Sequence, residues 1–225
     1  MYIFVTLKKK YNNMNKFLTS SIGRKVVMSL TGFFLIIFLI VHLGINLSLF
    51  WGPNAFNSAS EFMATNGVIQ VMQYILAAGF ILHIIQGITL ELKNRSSRSV
   101  KYVVNKPAEN SSFSSRNMIY TGILVLLFLI LHLKDFFVQL KFVGIGDLTD
   151  YQLVTNLFKN PVYTVIYVIA FILLGVHLSH GFQSAFQSTG ANYNKYKACI
   201  KNTGIGFSIL IAIGFSAIAL YFFFN

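Results

Sequence analysis

Residues 25–50 read KVVMSLTGFFLIIFLIVHLGINLSLF, a run in which Lys25 is the only lysine, arginine, aspartate or glutamate. A helix needs about 20 apolar residues to cross the hydrocarbon core of a bilayer. The run is long enough, so it predicts a membrane-spanning helix. Its one histidine, His42, lies far into the apolar part, where an imidazole is costly unless it has a partner.

Four more stretches of the same kind follow, at about residues 68–92, 117–141, 162–188 and 203–224. The chain is 55% hydrophobic and only 11% charged, which is too little charge for a soluble domain of 225 residues. The apolar runs are continuous, which favours helices over the alternating strands of a barrel. The prediction is an all-α integral membrane protein with a single domain, residues 1–225, built as a bundle of five transmembrane helices.

The basic residues predict the topology. Fifteen of the 18 lysines and arginines fall before or at the first residue of the first span, between the second and third, or between the fourth and fifth. Only Lys134, Lys141 and Lys159 fall on the other side. The positive-inside rule therefore places the N-terminal segment, residues 1–24, in the cytoplasm and Asn225 outside. The same distribution accounts for the net charge of +12 without a nucleic-acid partner.

The N-terminal segment and the cysteine count narrow the possibilities further. The first span lacks a small-residue cleavage site, which favours a retained helix over a signal peptide. Met14 is a plausible start, so residues 1–13 are expected to be a dispensable extension. Cys199 is the only cysteine, which excludes an internal disulfide, a cysteine-held iron–sulfur cluster and a Cys-x-x-Cys-His haem attachment.

All five histidines lie inside predicted spans: His42, His83, His132, His177 and His180. Ionisable side chains inside a membrane are rare and usually functional. Counting 1.5 Å per residue from the ends of the spans places four of them at two levels. The inner pair, nearer the cytoplasm, is His83 with His177, and the outer pair is His42 with His132. The two levels are expected to lie about 10 Å apart.

Two imidazoles that face each other are what a six-coordinate haem iron needs from a protein. Without a covalent attachment motif the haem would be of the b type, so four of the five helices are predicted to enclose two stacked b haems. Gly79 and Gly87 flank His83 at four residues on either side, and Gly181 follows His177 by four. These glycines would let a flat macrocycle approach the backbone, or they serve helix packing.

His180 is one histidine more than two haems require. It is three residues from His177, so both cannot occupy the same axial position, and it is interpreted as a hydrogen-bond donor near the haem rather than an iron ligand. Ser184 follows on the same face, and Arg24 and Ser29 of the first span reach a similar level. These polar residues either bind haem propionates or are ordinary residues of the membrane interface.

The sequence resembles the dihaem cytochrome b membrane anchor of succinate:quinone oxidoreductases and quinol:fumarate reductases. The resemblance covers about residues 24–224. It rests on LIVHLGINLSLFWGPNAFNSASEFM (39–63), ILHIIQG (81–87), LILHLKDF (129–136) and HLSHGFQSAFQSTG (177–190), in that order. It implies that His42 with His132, and His83 with His177, ligate two b haems.

The resemblance also implies partners and a location. The family anchors a flavoprotein and an iron–sulfur subunit on the cytoplasmic face of the bacterial inner membrane. Electrons from succinate would pass to the inner haem, then to the outer haem, then to a quinone in the lipid bilayer. Two-haem anchors imply menaquinone. The chain itself would be a non-catalytic subunit that transfers electrons and contributes the quinone site.

Candidates for quinone proton chemistry are few, because the chain has only six acidic residues. Glu61 lies just outside the first span, and Asp135 follows His132 by three residues on the same helix face. Glu61 could instead cap a helix or be a solvated charge, and Asp135 could instead pair with Lys134 or Lys141.

Two other classes remain open at this stage. The chain could be the quinone-reactive cytochrome b anchor of a formate dehydrogenase or hydrogenase, although the order of the motifs fits the succinate family better. It could also be a transporter that uses its histidines as a proton relay without haem.

Overall fold

The computed structural model describes residues 20–96, 116–190 and 195–225. In these ranges the chain is helical with no strand, and five helices are long and apolar enough to cross a membrane. The predicted all-α bundle of five transmembrane helices is therefore confirmed, and the protein is a multi-pass membrane protein. Most of the predicted cytoplasmic segment 1–24, including the suggested extension 1–13, lies outside the described residues.

The five spans agree with the predicted ones to within a few residues at most ends. In chain order the α-helices are α1 (Ser21–Leu47), α2 (Pro53–Thr65), α3 (Gly67–Ser96), α4 (Met118–His132), α5 (Asp150–Phe158), α6 (Pro161–Ser188) and α7 (Lys197–Phe224). A 3₁₀ turn, Ser48–Trp51, extends α1, and a π-helix, Leu133–Val143, extends α4. The last span begins six residues earlier than predicted, since α7 includes the polar turn at Lys197.

Side-chain caps explain where several helices begin. Ser20 Oγ accepts a hydrogen bond from the Gly23 amide at 3.0 Å and starts α1. Asn160 Oδ1 accepts from the Val162 amide at 2.9 Å, with Pro161 in the first helical position of α6. Both arrangements satisfy amides that have no partner within the helix.

The centre of the bundle is the contact between α6 and α7. Gly175 allows the close approach, because a Cβ added there would lie 3.1 Å from Ala212 Cβ. Ile211 of α7 and Tyr167 of α6 are almost completely buried. By contrast, α3 and α4 expose most of their apolar side chains, as expected for helices that face lipid.

The two short helices, α2 and α5, were not predicted from the sequence. They lie between spans at the end of the bundle where α1 finishes and α6 begins, and they pack against each other. Asn57 Oδ1 accepts a hydrogen bond from the Tyr151 amide at 2.9 Å, and the Ser60 hydroxyl donates to Asp150. Glu61 lies on the exposed face of α2, which these hydrogen bonds hold against α5.

Candidate functional site

The structure brings four histidines together as two facing pairs. The ring centroids of the outer pair, His42 and His132, are 5.8 Å apart, with the ring planes at 90°. Those of the inner pair, His83 and His177, are 6.5 Å apart, at 71°. These are the pairs that the depth of each histidine in its span predicted.

The spacing within each pair fits a metal between two imidazoles. A metal–imidazole bond is about 2.0 Å long, so two bonds and two half-rings need roughly 6 Å between centroids. The helices of each pair, α1 with α4 and α3 with α6, scarcely pack against each other along their backbones, and the imidazoles reach across the space between them. Among the described residues no group of three or more histidine, cysteine or acidic side chains is arranged to hold a metal ion, and two facing imidazoles fit the two ligands that a haem iron takes from a protein.

Each histidine of the inner pair has a threonine hydroxyl beside it. Thr31 Oγ1 of α1 lies 3.2 Å from His83 Nδ1, and Thr121 Oγ1 of α4 lies 3.4 Å from His177 Nδ1. With Nδ1 engaged in this way, Nε2 of each ring is the nitrogen available to a metal.

Glycines next to these threonines give the inner imidazoles room. A Cβ added at Gly32 would lie 3.7 Å from His83 Cε1, and one added at Gly122 would lie 3.4 Å from His177 Cε1. For Gly79 the structure favours the packing interpretation, because a Cβ there would come within 2.9 Å of the Phe34 ring.

The two segments that contact the inner histidines, one in α1 and one in α4 and its extension, have similar sequences, which the sequence analysis did not identify. Residues 28–43, MSLTGFFLIIFLIVHL, and residues 118–133, MIYTGILVLLFLILHL, share Met, Thr-Gly and His-Leu at the same spacing. The methionines also have matching contacts: Cε of Met28 and of Met118 would lie 3.6 and 3.7 Å from a Cβ added at Gly87 and Gly181 respectively. The signal was present in the sequence, but only the contacts show what the shared residues do.

The threonines also correct the predicted separation of the two levels. Thr31 lies beside the inner pair, and His42 of the outer pair is eleven residues further along α1. At the rise of an α-helix this is about 16 Å, and Thr121 and His132 on α4 give the same value. The expected 10 Å was too small because it was measured inward from span ends whose positions a hydropathy pattern does not define well.

The outer pair lies in aromatic surroundings. The His42 ring stacks on Phe38 at 5.1 Å, and the His132 ring contacts Phe136 at 5.2 Å and Tyr167 at 6.2 Å. Nδ1 of His132 is buried and has no hydrogen-bond partner among the described residues. The threonine arrangement of the inner pair is thus not repeated at His132.

A buried carboxylate lies one turn beyond His132. Asp135 is 7% exposed, and its Oδ2 accepts a hydrogen bond from the Tyr167 hydroxyl at 2.9 Å. Lys134 Nζ, on the exposed side, is 3.4 Å from Oδ1. The pairing with Lys134 was one of the two sequence interpretations, and the hydrogen bond from Tyr167 was not foreseen.

The remaining predicted site residues are not members of the facing pairs. His180 Nε2 is 3.4 Å from Ser184 Oγ, one turn further along α6. Ser29 is buried and Arg24 half-buried near the start of α1. Glu61 is exposed on α2. Their roles toward haem or quinone stay predictions.

Residues 91–219 match the family model of the succinate dehydrogenase/fumarate reductase transmembrane subunit, which is more than half of the chain. The chain belongs to this family. The matched stretch contains His132 and His177. His42 and His83 precede it, and the structure places each of them opposite one of these two histidines. Searches among curated proteins and among solved structures gave no match.

Proposed function

We propose that the protein is the electron-transferring anchor of a succinate dehydrogenase or fumarate reductase complex, linking a cytoplasmic iron–sulfur subunit to menaquinone. The observation that carries this proposal is the pair of facing histidines at each of two levels, in a chain of this family. His83 and His177 would hold the inner b haem, and His42 and His132 the outer one. A haem with two imidazole ligands supplies reversible one-electron transfer at its iron.

The distribution of basic residues supports the orientation of this path. By the positive-inside rule it predicts that the amino-terminal end of α1 and the carboxyl-terminal end of α6 are cytoplasmic, where the flavoprotein and iron–sulfur partners would dock. Haem at a second level, about 16 Å further across, is needed only if electrons leave toward the opposite side. Quinone chemistry on the outer side would move charge across the membrane, so its rate should respond to the membrane potential.

Asp135 is the acidic residue best placed to handle protons at an outer quinone site. It is buried one turn beyond His132, and Lys134 Nζ beside Oδ1 provides contact with the exposed surface. The Tyr167 hydroxyl holds Oδ2 and so fixes the orientation of the carboxylate. Glu61 is the second candidate and would exchange protons at the exposed surface of α2 instead.

The test of haem binding is spectroscopic. The isolated complex should show two b haems per chain in a reduced-minus-oxidised spectrum. His83→Ala should remove the inner haem and His132→Ala the outer one. A wild-type complex without haem would overturn the proposal and favour a histidine relay, and two haems in either variant would overturn the ligand assignment.

The test of the quinone site compares two assays of the whole complex. Asp135→Asn and Glu61→Gln should leave succinate oxidation with a soluble dye intact, because the partner subunits are unchanged. Quinone-linked activity should fall in at least one variant with both haems retained. Asp147→Asn, which alters an exposed carboxylate of the segment between the π-helix and α5, is the matched control. Full quinone activity in both variants would reject these residues as proton carriers.

A further inference from the structure

We infer that Thr31 and Thr121 are positioning residues that hold the inner histidines, His83 and His177, in the tautomer that presents Nε2 to the haem iron. This inference rests on the proposed function, because it concerns how the inner haem is held. It begins from two contacts, Thr31 Oγ1 to His83 Nδ1 at 3.2 Å and Thr121 Oγ1 to His177 Nδ1 at 3.4 Å.

The direction of these hydrogen bonds follows from the other contacts of each hydroxyl. Thr31 Oγ1 is 3.0 Å from the carbonyl oxygens of both Val27 and Met28. A threonine hydroxyl has one proton, and in a helix it commonly donates that proton to the preceding turn. Its oxygen can then only accept at the side that faces the imidazole, so the proton between the two groups belongs to Nδ1.

Thr121 repeats the arrangement on another helix. Its Oγ1 is 3.1 Å from the Asn117 carbonyl oxygen and 3.0 Å from that of Met118. In both cases a glycine follows the threonine and lies against Cε1 of the same imidazole. Each ring is thus fixed by a polar contact at Nδ1 and bounded by bare backbone at Cε1, which defines its rotation about the Cβ–Cγ bond.

The same contacts have a chemical consequence. A ligating imidazole that donates its second N–H is oriented and made more basic, and loss of such a partner typically weakens metal binding by about 10- to 100-fold. A more basic ligand stabilises the oxidised iron more than the reduced iron, so the hydroxyls should lower the midpoint potential of the inner haem. The outer haem should be unaffected, since His132 Nδ1 has no such partner among the described residues.

The experiment uses the assembled complex with Thr31→Val and Thr121→Val, each of which keeps the shape of the side chain and removes the hydroxyl. Each variant should release the inner haem about 10-fold more readily. The inner midpoint potential should rise in each, and more in the double variant, while the outer haem keeps its potential and spectrum. Thr31→Ser and Thr121→Ser should restore wild-type values. Thr31→Ala and Thr121→Ala provide a second pair if valine prevents assembly.

Thr164→Val is the matched control. Thr164 is a buried threonine of α6 whose hydroxyl donates to the Phe158 carbonyl oxygen at 2.6 Å, with no histidine beside it. It should change neither haem. Inner-haem retention and potential equal to wild type in the hydroxyl-free variants would overturn the inference while leaving the proposed function intact. A wild-type complex without the inner haem would instead overturn the proposed function.

Discussion

The buried hydrogen bond between Tyr167 and Asp135 gives a quantitative test of the structure. Tyr167→Phe removes only the hydroxyl, which leaves Asp135 Oδ2 without this donor. Hydrogen bonds to charged groups contribute about 1.5–3 kcal/mol, whereas those between membrane helices average about 0.6 kcal/mol. Because Asp135 is only 7% exposed, we expect Tyr167→Phe to lower the free energy of unfolding by an amount near the lower end of the first range. That is about 1.5 kcal/mol, or roughly 10-fold in the unfolding equilibrium constant.

The assay is reversible unfolding of the purified chain in mixed micelles, followed by circular dichroism. Tyr221→Phe, at a tyrosine of α7 that is 46% exposed, controls for the loss of a hydroxyl from a membrane helix. Asp135→Ala, which removes the acceptor, completes a double-mutant cycle with Tyr167→Phe, and the coupling should be at least about 0.5 kcal/mol. Equal stability of the two tyrosine variants, or additive effects in the cycle, would show that this hydrogen bond does not stabilise the fold as argued.

Three further predictions address topology, packing and the fifth histidine. A reporter fused after Asn225 should be active only outside the cytoplasm, because fifteen of the 18 basic residues lie on the opposite side; cytoplasmic activity there would reverse the orientation. Gly204→Ala should lower the unfolding free energy by about 1–3 kcal/mol, since its Cβ would come within 2.9 Å of Phe182. Gly206→Ala, on the same helix, places its Cβ where nothing lies within 4 Å and should not lower it, so equal stabilities of the two variants would contradict the α6–α7 packing. His180→Asn should retain both haems in the reduced-minus-oxidised spectrum, and loss of one haem with the complex still assembled would make His180 a ligand.

The structure explains why some features could be predicted and others could not. A membrane span is a property of about 20 consecutive residues, so a hydropathy pattern identifies it without knowledge of neighbouring helices. The short helices α2 and α5 are only weakly apolar, and their position depends on contacts such as Asn57 with the Tyr151 amide, which join residues 94 positions apart. Long-range contacts of this kind leave no periodic signal in the chain.

For the candidate site, the sequence by itself determined the number of spans and which of them carry histidines. It also determined which histidines share a level, because the rise per residue converts position along a span into depth. Only the tertiary structure decided what surrounds each imidazole: a threonine hydroxyl at His83 and His177, and aromatic rings at His42 and His132. The depth of a histidine within the membrane follows from counting residues along its span. Its neighbours at that depth depend on how the helix is rotated and on which helices it packs against. That rotation also turns Asp135 inward toward Tyr167, a contact between two spans that the order of residues along either span does not specify.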